Sequence, residues 1–203
     1  MTARKRRRWL ARVGAAVAVL LTLVAGQAII RTEPDRNVTV APFYVTGEPN
    51  QPVTVGGLRV TMLGARGSAK VKPAGGLDTD TGGIWMIVRV RLEATSKTTA
   101  TQYVALADAT GRTFRASQRF KQSLGERNRD LQPGVPVEGE VAFEVPRDAA
   151  TNLSLRIGET FNNITNGELS PFTDIRVPVT DSDVSRWLND VKPAILASPT
   201  VVT

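Results

Sequence analysis

Ile84–Ala94 reads IWMIVRVRLEA, and its alternation decides the fold class. Ile84, Met86, Val88, Val90 and Leu92 share one side of a period-two pattern, while Trp85, Ile87, Arg89, Arg91 and Glu93 share the other. The first side is apolar throughout, as a strand lying on a core requires. The second passes from apolar to charged, so that side is expected to emerge into solvent along the strand. Upstream, Val53–Val55, a Gly56–Gly57 turn, and Leu58, Val60 and Met62 alternating with Arg59 and Thr61 predict a hairpin. Arg66–Gly83, rich in Gly, Lys and Asp, reads as a loop.

Downstream, Gln102–Ala107 and Thr113–Ala116 flank a turn at Asp108–Gly111, and Pro133–Gly134 makes another. Val137, Val141, Phe143 and Val145 are expected inside, past Gly139, with Glu138, Glu140 and Glu144 facing water. Pro146 stops that strand. Leu153, Leu155 and Ile157, then Ile175, Val177 and Val179, complete the series. Short strands separated by turns, without helices between them, predict an all-β sandwich over residues 53–180.

The flanks follow other rules. Residues 31–52 contain Pro34, Pro42, Pro49 and Pro52 and read as a semi-extended stalk, with Asn37–Val45 a candidate edge strand. After Val179, Thr180 or Asp181 is placed to cap a short helix carrying Val184, Trp187, Leu188 and Val191 at i, i+3, i+4 and i+7, ended by Pro193. Residues 181–203 are thus a short amphipathic helix and a partly apolar tail. The stripe has two readings: packing on its own domain, or docking on another protein or the membrane surface.

Charge identifies the N-terminal region. The chain of 203 residues carries a formal charge of +7 and a pI near 10.4. Arg4, Lys5, Arg6, Arg7, Arg8 and Arg12 supply six of its 26 basic residues, and no acid occurs among residues 1–12. The remainder is nearly balanced, with 20 basic and 19 acidic groups, which argues against a nucleic-acid-binding surface. Val13–Ile30 (VGAAVAVLLTLVAGQAII) is uncharged, and as a helix it spans about 27 Å, close to the ~30 Å of a bilayer core. Residues 1–12 therefore read as a basic cytoplasmic leader and 13–30 as one transmembrane helix that contacts the lipid bilayer. The positive-inside rule puts the body outside the plasma membrane. The alternative is a signal peptide cleaved near Ala28, with Gly26 and Ala28 as the small residues, giving a secreted product.

The sequence contains neither cysteine nor histidine. Disulfides, thiol nucleophiles, Cys/His zinc sites and imidazole-based triads are excluded with them, and no catalytic residue, cofactor or metal site is expected. Asp78-Thr79-Asp80-Thr81-Gly82 has part of a calcium-loop pattern, but position 12 of such a loop is Arg89. Glu138 and Glu140 share one side of a strand, as a carboxylate-only enzyme would need, yet general acid work requires one raised pKa. Arg112–Arg129 holds six basic residues against Glu126 alone. Arg115, Arg119, Lys121, Arg127 and Arg129 are the candidate contacts to an anionic wall polymer, headgroup or acidic envelope protein. The plainer reading is a solvated connection between strands.

The order LADATGRTF (Leu106–Phe114), LQPG (Leu131–Gly134) and GEVAFEVP (Gly139–Pro146) resembles the telokin-like, immunoglobulin-fold domains of bacterial exported proteins and lipoproteins, a domain family of unknown function. The likeness runs over roughly residues 53–157. Ala94-Thr95 stands where the family commonly has asparagine, and the terminal helix and tail lie outside the pattern. The resemblance implies an immunoglobulin-like β-sandwich and supplies no catalytic residues. The expected function is a non-enzymatic binding or scaffolding module of the cell envelope. The alternatives are an accessory subunit of a transporter or secretion complex and, last, a carboxylate-based enzyme.

Overall fold

Apolar residues at every second position of Ile84–Leu92 require a partner sheet, and the computed structural model supplies one. It describes residues 22, 43–73, 76–101, 103–120, 124, 130–159, 171–190 and 192–202. Pro42–Thr203 is one compact unit; Met1–Ala41 is another, of which only Thr22, helical, is described. The basic leader 1–12, the apolar run 13–30, the cleavage point near Ala28, and 31–42 of the stalk therefore lie outside the described residues. Among the described residues no helix is long and apolar enough to cross a membrane.

Among the described residues thirteen strands build a β-sandwich. The first sheet contains β1 (Phe43–Gly47), β6 (Tyr103–Ala107), β7 (Thr113–Arg115), β10 (Ser154–Gly158) and β11 (Pro171–Arg176), in the order β1-β11-β10-β6-β7. The second contains β3 (Leu58–Pro73), β4 (Thr79–Ala94), β9 (Val137–Val145), β12 (Ala194–Leu196) and β13 (Thr200–Val201), in the order β12-β3-β4-β9-β13, with β2 (Pro52–Val55) paired to β3. A two-stranded piece, β5 (Thr99–Ala100) with β8 (Asp130–Leu131), completes the set. Pairing is antiparallel except β1 with β11 and β12 with β3.

The core lies between the sheets. Val60, Met62, Met86, Val88, Val90, Val141 and Phe143 from one meet Leu106, Leu155, Ile157 and Ile175 from the other. Burying a Val, Leu, Ile, Phe or Met side chain contributes about 1.5–3 kcal/mol, so this alternation holds the sheets together. Gly134, at φ +72°, permits the turn into β9, and its N–H donates to the Ala94 carbonyl at 3.0 Å. A smaller cluster lies on the outer side of the second sheet: Val71, Trp85, Ile87, Phe120, Ala142 and Leu196. Trp85 meets Phe120 edge-on at 5.2 Å and donates its indole N–H to the Thr79 carbonyl at 3.0 Å.

Four expectations need correction. Arg66–Gly83 is not a loop, because β3 and β4 run through most of it as a long hairpin. Cross-strand pairs Lys70–Asp80 (3.5 Å) and Lys72–Asp78 (3.9 Å) use the charges that made the segment look like a turn, and Val71 is buried beneath. The sheets begin at Phe43 rather than Val53, since the described part of the stalk forms β1 and the start of β2. The tail is also part of the sandwich, through β12 and β13 at opposite edges of the second sheet. Finally, Glu138 and Glu140 are buried, and only Glu144 of the three glutamates faces water.

Candidate functional site: a polar groove beside the terminal helix

α1 (Asp181–Asn189) starts where sequence placed it. Thr180 is the N-cap, and a reciprocal capping box joins its side chain and backbone to Asp183. Val184 is buried, and Trp187 and Leu188 pack partly buried against the main core. Val191 lies outside the described residues. The stripe therefore contacts its own domain, and Gly67 of β3 makes the approach possible. A Cβ on Gly67 would lie 2.3 Å from a Trp187 ring carbon and 3.0 Å from Ile84.

Where the chain leaves α1 and returns as β12, it encloses a groove of about 530 Å³. Arg66, Gly67 and Ser68 line it from β3, and Arg186, Trp187, Asp190 and Lys192 from the helix side. Arg66 is fixed: its Nε and Nη2 donate to Glu140 at 2.8–3.2 Å, and Nη2 also donates to the Ile195 carbonyl at 2.7 Å. Arg186 spends one Nη2 contact on Asp183 at 2.6 Å and is otherwise exposed. Among the described residues neither the Lys192 ammonium nor the Trp187 indole N–H has a protein partner. Asp190 accepts the Lys192 backbone N–H at 3.0 Å. Of the three cations in the lining, Arg66 and Arg186 are paired with Glu140 and Asp183, and Lys192 is the one without a carboxylate partner among the described residues.

Glu140 explains the shape of this region. Besides Arg66, it accepts the Ala197 backbone N–H at 2.8 Å, so one carboxylate ties β3, β9 and the tail together. Two residues away, Glu138 accepts from Arg89 and Arg91, both at 2.8 Å. The Arg91 hydrogen bond, joined by Arg89 and both charges, outweighs burial and holds Glu138 below the ordinary carboxylate range. That is opposite to the shift a general acid requires. The two glutamates, read from sequence as a solvated pair, are structural partners of arginines.

The arginine-rich connection is not gathered into one described surface. Arg115 lies 5.5 Å over the Tyr103 ring of the first sheet. Arg119 lies 5.8 Å over Trp85 and 3.8 Å from Glu144, on the second. Lys121, Arg127 and Arg129 lie outside the described residues. Asp78 and Asp80 pair with Lys72 and Lys70. Sequence reasoning singled out Trp187 but missed Arg66, Arg186 and Lys192, because only the return of the tail as β12 brings them together. Their signal was weak: a Lys192-Pro193 step after a Trp-bearing helix.

The sequence pattern of the family described as Domain of unknown function (DUF4352) matches residues 48–165, more than half of the chain. The chain belongs to this family. The DUF4352 match begins before β2 and ends before β11, so α1 and the Lys192 side of the groove lie beyond it. Among solved structures, the chain is similar to the yjhA protein from Bacillus subtilis, at 14% identity and a TM-score of 0.46, covering 63% of this chain and 98% of that one. It is similar also to the secreted protein MPT63 from Mycobacterium tuberculosis, at 13% identity and a TM-score of 0.45, covering 65% and 98%. A third likeness is to an uncharacterized beta-sandwich protein from Clostridium difficile 630, at 10% identity and a TM-score of 0.40, covering 66% and 95%. No curated protein matches the chain.

Proposed function

We propose that this DUF4352 protein is a non-enzymatic binding module of the bacterial cell envelope, an immunoglobulin-like, telokin-like sandwich held outside the plasma membrane by residues 13–30. The observation that carries the reading is the groove beside α1, with donors on Lys192 and Trp187 that meet no acceptor among the described residues. Its volume falls within the ~300–1,000 Å³ typical of ligand sites. Support for recognition over chemistry comes from the carboxylates: Glu138 and Glu140 are committed to arginines and a backbone N–H. The address rests on the uncharged run Val13–Ile30 behind six basic residues.

The test is crosslinking in native membranes. A photoreactive side chain replaces Ile195, exposed in the groove lining, in the full chain, with the same probe at Arg156 on the other sheet as control. The reading expects an adduct with an envelope component at 195 and not at 156. Equal or absent adducts at both positions contradict it. Exchanging residues 13–30 for an unrelated membrane helix tests the accessory-subunit alternative, because a module that acts through its groove keeps its adduct after the exchange.

A further inference from the structure

We infer that the groove between α1 and β12 recognises a phosphodiester, with the anion against Lys192 and Arg186 and the attached organic group against Trp187. The inference rests on the envelope-binding reading for the source of its ligand. Three observations support it independently of that source.

The first is unspent donor capacity. A guanidinium has five N–H donors. Arg186 uses its Nη2 on Asp183, and the ammonium of Lys192 is bound to no described residue. Arg66 keeps Nη1 after Nε and Nη2 are taken by Glu140 and the Ile195 carbonyl, so it adds one fixed donor, its charge already met by Glu140. Groups of this kind fit the tetrahedral oxygens of a phosphate, Arg by its fork and Lys as a point charge.

The second is the local ion pairing. Glu140 and Asp183 already neutralise Arg66 and Arg186, which leaves the Lys192 ammonium as the lining cation without a carboxylate among the described residues, with the spare donors of Arg186 beside it for a monoanionic diester to share.

The third is the indole. Trp187 is half-buried, one part packed on Gly67 and against the main core, and its N–H has no described protein acceptor. An aromatic wall with a polar tip beside two cations suits a small polar headgroup or a glycerol unit better than a bulk apolar chain.

The shared chemistry has two sources outside a plasma membrane, a phospholipid headgroup and a phosphodiester wall polymer, and the experiment has one arm for each. Full-length protein is held in phosphate-free dodecyl maltoside micelles and titrated with glycerophosphoglycerol and with poly(glycerol phosphate). In the second arm its groove is read in the same micelles doped with phosphatidylglycerol. Trp187 fluorescence is followed in a Trp9→Phe background, with Trp85 buried as an internal constant. The expected result is a saturable change with at least one of these diesters and none with glycerol. Lys192→Gln with Arg186→Gln should weaken it about tenfold or more, and Asp190→Asn should tighten it. Saturation by the soluble diesters alone assigns the wall-polymer source, and a response to phosphatidylglycerol alone assigns the lipid. No saturable change in either arm overturns the inference, as does undiminished binding in the natively folded double variant. Binding of an acidic peptide in preference to every diester also overturns it, while leaving the envelope-binding reading standing on its crosslinking result.

Discussion

At the scale of single residues, buried or locked carboxylates decide how this domain responds to acid. Glu138 is held by Arg91 and Arg89, and its pKa in the folded state is depressed. A depressed pKa means the stabilisation is fully present above the unfolded value of about 4.3 and fades as pH falls toward the folded one. Glu138→Gln should therefore cost about 1–2 kcal/mol at neutral pH, since the arginines are half-exposed, and the deficit should shrink on acidification. Urea unfolding of both proteins at several pH values reads this directly; a deficit independent of pH would refute it. Asp108 differs in degree. Burial pushes its pKa up, but donors from Thr110 and Arg112 outweigh that and pull it down to about 2. Asp108→Asn should keep a stability deficit to lower pH than Glu138→Gln does, because this carboxylate stays ionised longer. The Asp108 turn was legible as an Asp-x-x-Gly spacing. The Glu138 clamp was not: alternation put its side chain on the outer side of a sheet correctly, but not that Arg89 and Arg91 would fold over it.

At the scale of elements, two contacts hold the termini of the sandwich. α1 reaches β3 because Gly67 has no side chain. Gly67→Ala should cost about 1–3 kcal/mol by forcing Trp187 away, with a red-shifted tryptophan emission as the helix lifts. Combining it with Trp187→Leu should recover part of the loss, and strict additivity would contradict the contact. The second contact is the tail. Deleting residues 194–203 removes β12, β13 and Leu196, uncovers Val71 and Trp85, and takes the Ala197 N–H from Glu140. The truncated chain should unfold at lower temperature and bind a hydrophobic dye; unchanged melting would show that the tail is dispensable. Both features were hidden for a physical reason. A strand of three residues whose middle member, Ile195, is exposed carries too little alternation to register, and Lys70, Lys72, Asp78 and Asp80 look like loop residues until paired across a hairpin. Where alternation was long, as in Ile84–Leu92, or a cap was explicit, as at Thr180, reading and structure agree.

At the scale of the whole molecule, the proposed role is that of a β-sandwich held outside the membrane by an apolar run and binding through a groove assembled from distant segments. Sheet architecture followed from local pattern because each strand buries its own alternate residues. The groove did not, since Arg66 and Lys192 stand far apart in sequence and meet only through the return of the tail. The central claim is that this groove faces the outside of the cell on a membrane-held chain, and the absence of cysteine allows a clean measurement of it. Ile195, exposed at the rim, becomes the single thiol in Ile195→Cys, and intact cells are treated with a membrane-impermeant maleimide before fractionation. The account predicts labelling without lysis, with the labelled chain recovered in the membrane fraction. Labelling that appears only after the cells are broken open would contradict it.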